Sequence, residues 1–201
     1  MLELPQDLVT PAPPPATPRL AARYNQLLDT AARFATREYA DVDVTDVASE
    51  AGVSSSTAYR YFPSAAHLLL ALHRRQLLEL RARVEGRANS VRTDEQRSRQ
   101  LVGAAVEMFA MRISQPAVNS CLDELVVPVD HELAGLIGEV DELAWSTLGQ
   151  LAGGSGRGKS ILHIISGLVS AVRTGRLMPY EAEQQLKAAC EIVARRRAVR
   201  H

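Results

Sequence analysis

The segment from residue 43 to residue 62 constrains the fold of this chain more than any other part of the sequence. Asp43 offers an N-cap for a short helix, and Gly52 ends that helix as a residue that readily takes a positive φ. Ser54 then offers the cap of a second short helix, which Pro63 stops. Two short helices joined by a glycine-containing turn predict a helix-turn-helix, the motif that places its second helix in the major groove of DNA.

Most of the remaining chain has helical periodicity. Apolar residues recur at spacings of three and four. They predict helices over 19–38, 64–85, 96–113, 131–151, 159–177 and 181–197, with a broken apolar stretch over 116–127. Only 4% of the residues are aromatic, so the core must be aliphatic, which favours helices. No strand pattern and no internal repeat is present, and the predicted class is all-α.

The charge balance and the targeting signals limit which surfaces and which cellular location we expect for this protein. The 201 residues include 23 Lys or Arg and 23 Asp or Glu, so any basic surface has to be local. Six of residues 1–18 are prolines, which predicts a disordered leader. The N-terminus lacks a basic flank followed by an apolar stretch, and the longest apolar run, from Leu68 to Leu72, is far too short to span a membrane. We expect a cytoplasmic protein in which Cys121 and Cys190 are reduced and buried.

The second helix of the motif carries small polar side chains able to enter a major groove. Ser55, Ser56, Thr57 and Tyr59 can hydrogen-bond to base edges or phosphates. The alternative is an ordinary helical hairpin with a glycine cap.

The same segment resembles the tetracycline-repressor (TetR) family of bacterial regulators. The matching residues are 43–48, 51–54 and 57–64, with Leu68 after them, and the resemblance extends over about residues 20–72. It implies a helix-turn-helix DNA-binding domain over 19–66, followed by a helical ligand-binding and dimerisation domain over 67–201. The partners that it implies are double-stranded operator DNA, a second copy of the chain and a small hydrophobic effector.

The resemblance also implies roles for individual residues. Thr45, Ser55, Ser56 and Thr57 lie where the family contacts bases and nearby phosphates. Tyr59 and Tyr61 match aromatic positions that pack against the sugar-phosphate backbone and donate their hydroxyls to phosphate, and Phe62 matches a core residue.

One position departs from the family pattern. The family usually has a lysine at the start of the next helix, where it grips a phosphate with the help of the helix N-terminus. This chain has Ala65 there. Between Arg19 and Arg75 the chain has seven Arg against six Asp or Glu, so we expect few released counterions and a shallow salt dependence.

The C-terminal two-thirds carries candidate pocket and interface residues. Methionines and the single tryptophan suit a plastic apolar cavity, and they suit an ordinary core as well. The candidate ligand-binding residues are Met108, Phe109, Met111, Cys121, Leu125 and Trp145. Apolar stripes on the last two helices fit the family's dimer interface or the protomer's own core; their residues are Ile161, Ile165, Leu168, Val172, Leu186 and Val193.

Residues 153–160 satisfy the phosphate-binding pattern G-x-x-x-x-G-K-[ST]. A P-loop follows a buried strand, whereas residues 143–151 have helical periodicity, and no Asp follows Ser160 to hold Mg²⁺. We interpret the segment as a flexible loop in which Lys159 and Ser160 open the next helix. The pair His67 and His73 and the run 130–132 lack the spacing of metal ligands, and we predict no metal, no cofactor and no enzyme.

The sequence thus predicts a repressor that a small hydrophobic ligand releases from its operator. Two alternatives stay open: a DNA-binding regulator that has no small-molecule effector, and a P-loop nucleotide hydrolase that uses residues 153–160.

Overall fold

The computed structural model describes residues 17–38, 41–88, 93–124 and 131–195. This part of the chain contains helices and no strand, which confirms the all-α class. The helices are α1 (Pro18–Phe34), α2 (Val44–Glu50), α3 (Ser55–Tyr61), α4 (Ala65–Ala88), α5 (Asp94–Ser114), α6 (Pro116–Glu124), α7 (His131–Ala152), α8 (Ser155–Arg173) and α9 (Pro179–Arg195). The predicted leader lies outside the described residues except for its last two positions.

Side-chain caps define where several helices begin. Thr17 caps α1, and Pro18 occupies the first helical position, where its missing N–H costs nothing. Thr93 and Gln96 form a capping box on α5, in which each side chain accepts from the other's backbone N–H.

Three helix boundaries lie four residues from the prediction. α1 ends at Phe34 rather than near residue 38, and α8 ends at Arg173 rather than at residue 177. α8 begins at Ser155 rather than at Lys159, because Gly154 takes a φ of 151° and the chain turns directly into the helix. Most of the predicted flexible loop is therefore helix.

The chain divides into two compact units. The first unit comprises Met1–Leu72 and Ala117–Leu136, so it holds α1–α3, the first residues of α4, nearly all of α6 and the start of α7. Its core is aliphatic with a few aromatic rings, and includes Leu27, Leu28, Phe34, Val47, Ala48 and Phe62. The Ala117 N–H donates to the Ala35 carbonyl oxygen at 3.2 Å and so joins α6 to the end of α1.

The second unit comprises His73–Pro116 and Ile137–His201. Within it, α5 packs against α8 and α9, which also pack against each other. Its fully buried side chains include Leu77, Leu101, Met108, Leu148, Ile161, Ile165 and Leu186. The predicted domain boundary at residue 66 stays a prediction.

Both cysteines are buried and neither forms a disulfide, as expected. Burial, assisted by the charge of Glu191, raises the pKa of Cys190 to about 11 and keeps this thiol protonated. None of the described helices is long and apolar enough to cross a membrane.

Candidate nucleic-acid interface

An N-terminal cap fixes where α2 begins, and its apolar face determines which side of the helix is buried. The Asp43 side chain accepts a hydrogen bond from the Thr45 backbone N–H at 2.5 Å. Val44, Val47 and Ala48 are buried, and Ala48 is completely so. Thr45 therefore lies on the exposed side of a helix whose opposite side is packed.

The turn after α2 depends on Gly52. This residue takes a φ of +64°, and the Val53 N–H donates to the Ala48 carbonyl oxygen at 2.9 Å, which closes the helix end. A Cβ on Gly52 would meet no atom within 4 Å, so the requirement for glycine is conformational rather than steric. The predicted positive φ is observed.

The helix α3 begins after Ser54, which has an extended backbone. The Thr57 and Ala58 N–H groups donate to the Ser54 carbonyl oxygen at 2.9 and 3.0 Å. Ala58 is completely buried and fixes the inward face of α3. The serine and threonine hydroxyls at the start of α3 lie away from that face.

Five residues with hydroxyl groups lie close together on α2, on α3 and in the turn between them, and we call them the hydroxyl surface. They are Thr45, Ser54, Ser56, Thr57 and Tyr59. The Thr45 Oγ1 and Tyr59 hydroxyl oxygens are 3.2 Å apart. Ser54 Oγ lies 2.8 Å from Thr57 Oγ1 and 3.4 Å from Ser56 Oγ. Tyr59 is 40% exposed, so it presents a large ring with a polar tip to a partner. Ser55, also predicted to touch DNA, is half-buried.

Tyr61 has a different environment from Tyr59. It is only 5% exposed, and its ring meets that of Tyr24 edge-on at a centroid distance of 5.6 Å. Phe62 packs on Tyr24 as well, at 5.1 Å, and is buried as the resemblance implies. Tyr61 thus anchors α3 to α1 through its ring, and we leave it out of the hydroxyl surface.

Some of the charged side chains around the helix-turn-helix are paired with a side chain of opposite charge. Arg33 on α1 donates from Nε and Nη2 to Glu50 Oε1 on α2, at 3.1 and 2.7 Å. Arg60 is exposed, and its guanidinium lies 5.6 Å from the centre of the Tyr61 ring. Among the residues of α3, Arg60 is the cation available to a phosphate.

The start of α4 lacks a cation. Ser64 Oγ accepts from the His67 backbone N–H at 3.4 Å and lies 2.9 Å from His67 Nδ1. Ala65, where the family usually has lysine, is half-buried beside this cap. A phosphate at this helix end would meet backbone amides rather than an ammonium group.

The family profile described as bacterial regulatory proteins, tetR family, matches residues 27–72, which contain α2, α3 and their turn. These residues are therefore a helix-turn-helix domain of the tetR family. The chain is a DNA-binding regulator.

Solved structures of TetR-family regulators share the fold of nearly the whole chain. A TetR transcriptional regulator from Rhodococcus sp. RHA1 is 23% identical, with a TM-score of 0.68 over 87% of this chain and 97% of that chain. The regulator FadR from Bacillus subtilis, solved in complex with stearoyl-CoA, is 17% identical, with a TM-score of 0.64 over 85% of this chain and 97% of that one. A TetR-family regulator from Streptomyces coelicolor is 20% identical, with a TM-score of 0.62 over 87% and 95%. No curated protein matches the chain in sequence.

Residues 155–160 of the P-loop-like segment lie within α8, and Gly153 and Gly154 precede that helix. A Cβ on Gly158 would overlap the Trp145 carbonyl oxygen and lie 2.7 Å from the Gly149 nitrogen, so this glycine permits α7 and α8 to touch. Lys159 Nζ lies 4.7 Å from the centre of the Trp145 ring. Helix packing therefore accounts for Gly158 and Lys159, and the segment does not have the conformation of a phosphate-binding loop.

The predicted pocket residues lie on α5, α6 and α7. Met108 and Phe109 are buried and Met111 and Trp145 are half-buried, all in the second unit. Cys121 is buried in the first unit, and Leu125 lies outside the described residues. Their role in ligand binding stays a prediction.

The predicted interface residues fall into two groups. Ile161, Ile165 and Leu186 are 0% exposed within a single protomer, and Leu168 is 9% exposed. Four stripe residues therefore serve the protomer's own core, the alternative that the sequence left open. Val172 and Val193 are half-buried and keep surface for a partner.

Two features were missed by sequence reasoning. The sequence indicates Ser54 only as a helix cap, although its hydroxyl belongs to the hydroxyl surface. The hydrogen bond between Ala35 and Ala117 joins helices that are distant in sequence and leaves no local signal.

In the part of the chain that the structure describes, no group of three His, Cys, Asp or Glu is placed to hold a metal ion; Asp130 lies outside it.

Proposed function

We propose that this protein is a dimeric repressor that binds a two-fold symmetric operator and is released from it by a small hydrophobic ligand. The hydroxyl surface is the observation that carries the DNA-binding part of the proposal. Its groups lie on two helices that are held by a buried core, so they enter a groove as a pre-arranged set.

The chemistry of the hydroxyl surface suits DNA. Serine and threonine hydroxyls both donate and accept, so they can read base edges in the major groove or bind phosphates. Tyr59 adds a hydroxyl that can reach a phosphate, while its contact with Thr45 limits the positions that it can take.

Fluorescence anisotropy tests the binding. Labelled DNA from upstream of the protein's own gene is compared with a scrambled duplex at the same salt concentration. We expect tighter binding to the natural sequence, and loss of that preference in Thr57→Ala. Ser114→Ala, which alters an exposed serine on α5, is the matched control. If the unaltered protein bound both duplexes equally, the hypothesis that it regulates its own gene would be rejected.

A dimer is required if two recognition helices are to meet successive major grooves. Apolar side chains outside the protomer core support an interface on α9 and the turn before it: Tyr180 is 72% exposed, Ile192 60% and Met178 67%. Sedimentation velocity tests the assembly. We expect a dimer that Ile192→Glu converts to monomers, with operator binding lost and helical content kept, and a monomeric unaltered protein would contradict the proposal.

Ligand release is supported by the connection between α6 and the DNA-binding helices. The Ala35–Ala117 hydrogen bond joins α6 to α1, so a ligand that moves α6 would also shift the recognition helix. The structurally similar FadR from Bacillus subtilis was solved with stearoyl-CoA, which makes fatty-acyl compounds the first ligands to try. We expect such a ligand to lower the operator anisotropy signal; a protein that binds its operator but no ligand would instead be a regulator without an effector.

A further inference from the structure

Ser54 is the N-cap of α3, but its side chain does not cap that helix in the usual way. An N-cap side chain normally accepts a hydrogen bond from a backbone N–H in the first turn, as those of Asp43 and Thr93 do in this protein. Ser54 accepts no such bond through its side chain, although its carbonyl oxygen accepts from the Thr57 and Ala58 N–H groups. The Ser54 hydroxyl is therefore not used in capping.

The Ser54 hydroxyl contacts the Thr57 hydroxyl instead. Ser54 Oγ lies 2.8 Å from Thr57 Oγ1, a distance typical of a well-formed hydrogen bond between hydroxyl groups. Ser56 Oγ, at 3.4 Å from Ser54 Oγ, is beyond that range. The shorter contact of the Ser54 side chain is thus with Thr57, the residue that we expect to read base edges.

This contact limits the conformation of the Thr57 side chain. A threonine in a helix has two accessible χ1 rotamers, because its hydroxyl can bond the carbonyl oxygen three or four residues earlier. Three residues before Thr57 is Ser54, whose carbonyl oxygen already accepts the Thr57 and Ala58 N–H groups with its two acceptor sites. The Ser54 hydroxyl offers Thr57 another partner, and it stabilises the rotamer in which Thr57 Oγ1 points towards it.

The rotamer of Thr57 decides which of its two branches a base pair meets. One branch is a hydroxyl, which can donate to or accept from base edges, and the other is a methyl group, which can pack against the methyl of thymine. Rotation of χ1 from one staggered well to another moves both groups, because they share Cβ. Fixing the rotamer fixes the pattern that Thr57 presents to the major groove, and it reduces the side-chain entropy lost when DNA binds.

We infer that Ser54 is a positioning residue, which determines the base preference of Thr57 without touching a base itself. This rests on the proposed function, in which the hydroxyl surface binds the operator, and it names a residue on which the sequence selectivity of that function depends. The Ser54 hydroxyl holds Thr57 Oγ1 in place and leaves it able to bond a base, since a hydroxyl has one donor and two acceptor sites.

The base preference is measured on a selected operator. A duplex library with a randomised centre is enriched for binding to the unaltered protein, and the enriched sequence is then made with every single-base-pair change. Fluorescence anisotropy gives the affinity for each duplex at one salt concentration, and the base pair that Thr57 reads is the one whose preference Thr57→Ala removes. We expect Ser54→Ala to reduce that preference alone, by up to about fivefold for each half-site and hence up to about 25-fold for a dimer.

Four further proteins separate positioning from direct contact and from capping. Ser54→Gly should give the same loss, because glycine caps a helix nearly as well as serine but has no hydroxyl. Ser54→Thr keeps the hydroxyl and should keep the preference. Ser54→Ala added to Thr57→Ala should change nothing more, because a positioning residue acts only through the side chain that it positions. Ser49→Ala, which removes another exposed hydroxyl from the helix-turn-helix, should keep every preference.

The conformation of Thr57 is measured without DNA. Three-bond NMR couplings to the Thr57 Cγ2 carbon report its χ1 angle in the free protein. We expect one rotamer in the unaltered protein and in Ser54→Thr, and an average over two in Ser54→Ala and Ser54→Gly. Backbone amide shifts of α3 in the same samples show whether the helix itself has changed.

Several results would overturn the positioning role. They are a full base preference in Ser54→Ala and Ser54→Gly, equal weakening of all duplexes, a further loss of preference in the double variant, no preference that depends on Thr57, and a Thr57 rotamer that stays fixed without the Ser54 hydroxyl. If the unaltered protein selects a sequence in those cases, the DNA-binding function stands and only the role of Ser54 fails. If it enriches no sequence, the proposed function is rejected, and this inference with it.

Discussion

Thr45 on α2 and Tyr59 on α3 hold their hydroxyl oxygens 3.2 Å apart, across a turn that contains a glycine with positive φ. The contact ties the exposed ends of the two helices together. It places a group from each helix of the motif in one polar surface, and the separate contributions of those groups can be measured.

The first prediction distinguishes a side chain that contacts the DNA backbone from one that reads base edges. Tyr59→Phe removes the exposed hydroxyl but keeps the ring, so we expect operator and scrambled DNA to be bound about fivefold more weakly for each hydrogen bond lost, hence about 25-fold for a dimer. Thr57→Ala should weaken operator binding by a similar factor and leave scrambled DNA unchanged. Anisotropy titrations measure both; equal effects of the two changes on both duplexes would show that these roles are assigned wrongly.

The second prediction restores the missing lysine. Ala65→Lys places an ammonium group at the start of α4, where the family usually carries one, and we expect tighter binding to any duplex. The slope of log K against log salt should steepen by about 0.9 for each added phosphate contact, hence by about 1.8 for a dimer. Ala65→Gln is the neutral control and should leave the slope unchanged. An identical slope in the lysine and glutamine variants would mean that no phosphate lies at this helix end.

The third prediction concerns the contact between α7 and α8. Gly158→Ala would drive a methyl group into the backbone of Trp145 and Gly149, so we expect a loss of about 1–3 kcal/mol or more in the free energy of unfolding. Gly156→Ala, two residues earlier on the same helix, would meet no atom within 4 Å. Because alanine favours helix, that control should be neutral or gain up to about 1 kcal/mol. Urea unfolding followed by the fluorescence of Trp145 measures both, and equal stability of the two variants would contradict the close helix contact.

The fourth prediction is an acid-sensitive stability that depends on His73. Its pKa is lowered from 6.5 to about 4 in the folded protein, so the unfolded chain binds more protons between these values. The stabilising effect of the neutral imidazole is therefore complete above pH 6.5 and is lost as the pH falls towards 4, at about 1.4 kcal/mol for each pKa unit of the difference. Unfolding free energies measured at pH 7, 6, 5 and 4 should fall more steeply for the unaltered protein than for His73→Leu. Parallel curves would show that His73 does not titrate in this way.

Local sequence signals determined where the helices of the DNA-binding motif begin and end. Asp43, Gly52 and Pro63 act on the backbone of their own neighbourhood, through a cap, a positive φ and a missing N–H. Such effects need no distant partner, so they can be read from the chain alone. For the same reason the family resemblance, which lies in this segment, is visible in the sequence by itself.

Tertiary structure alone decided which face of a helix is covered and by what. Periodicity grouped Ile161, Ile165 and Leu186 into apolar stripes, but the same stripe fits a partner subunit or the protomer's own α5, and packing places these side chains inside the protomer. Tyr59 and Tyr61 are two residues apart on one helix; only the position of Tyr24 on α1 shows that the second ring is buried. The hydroxyl surface was thus predictable in its residue types, whereas its membership depended on contacts between residues far apart in sequence, which no local pattern encodes.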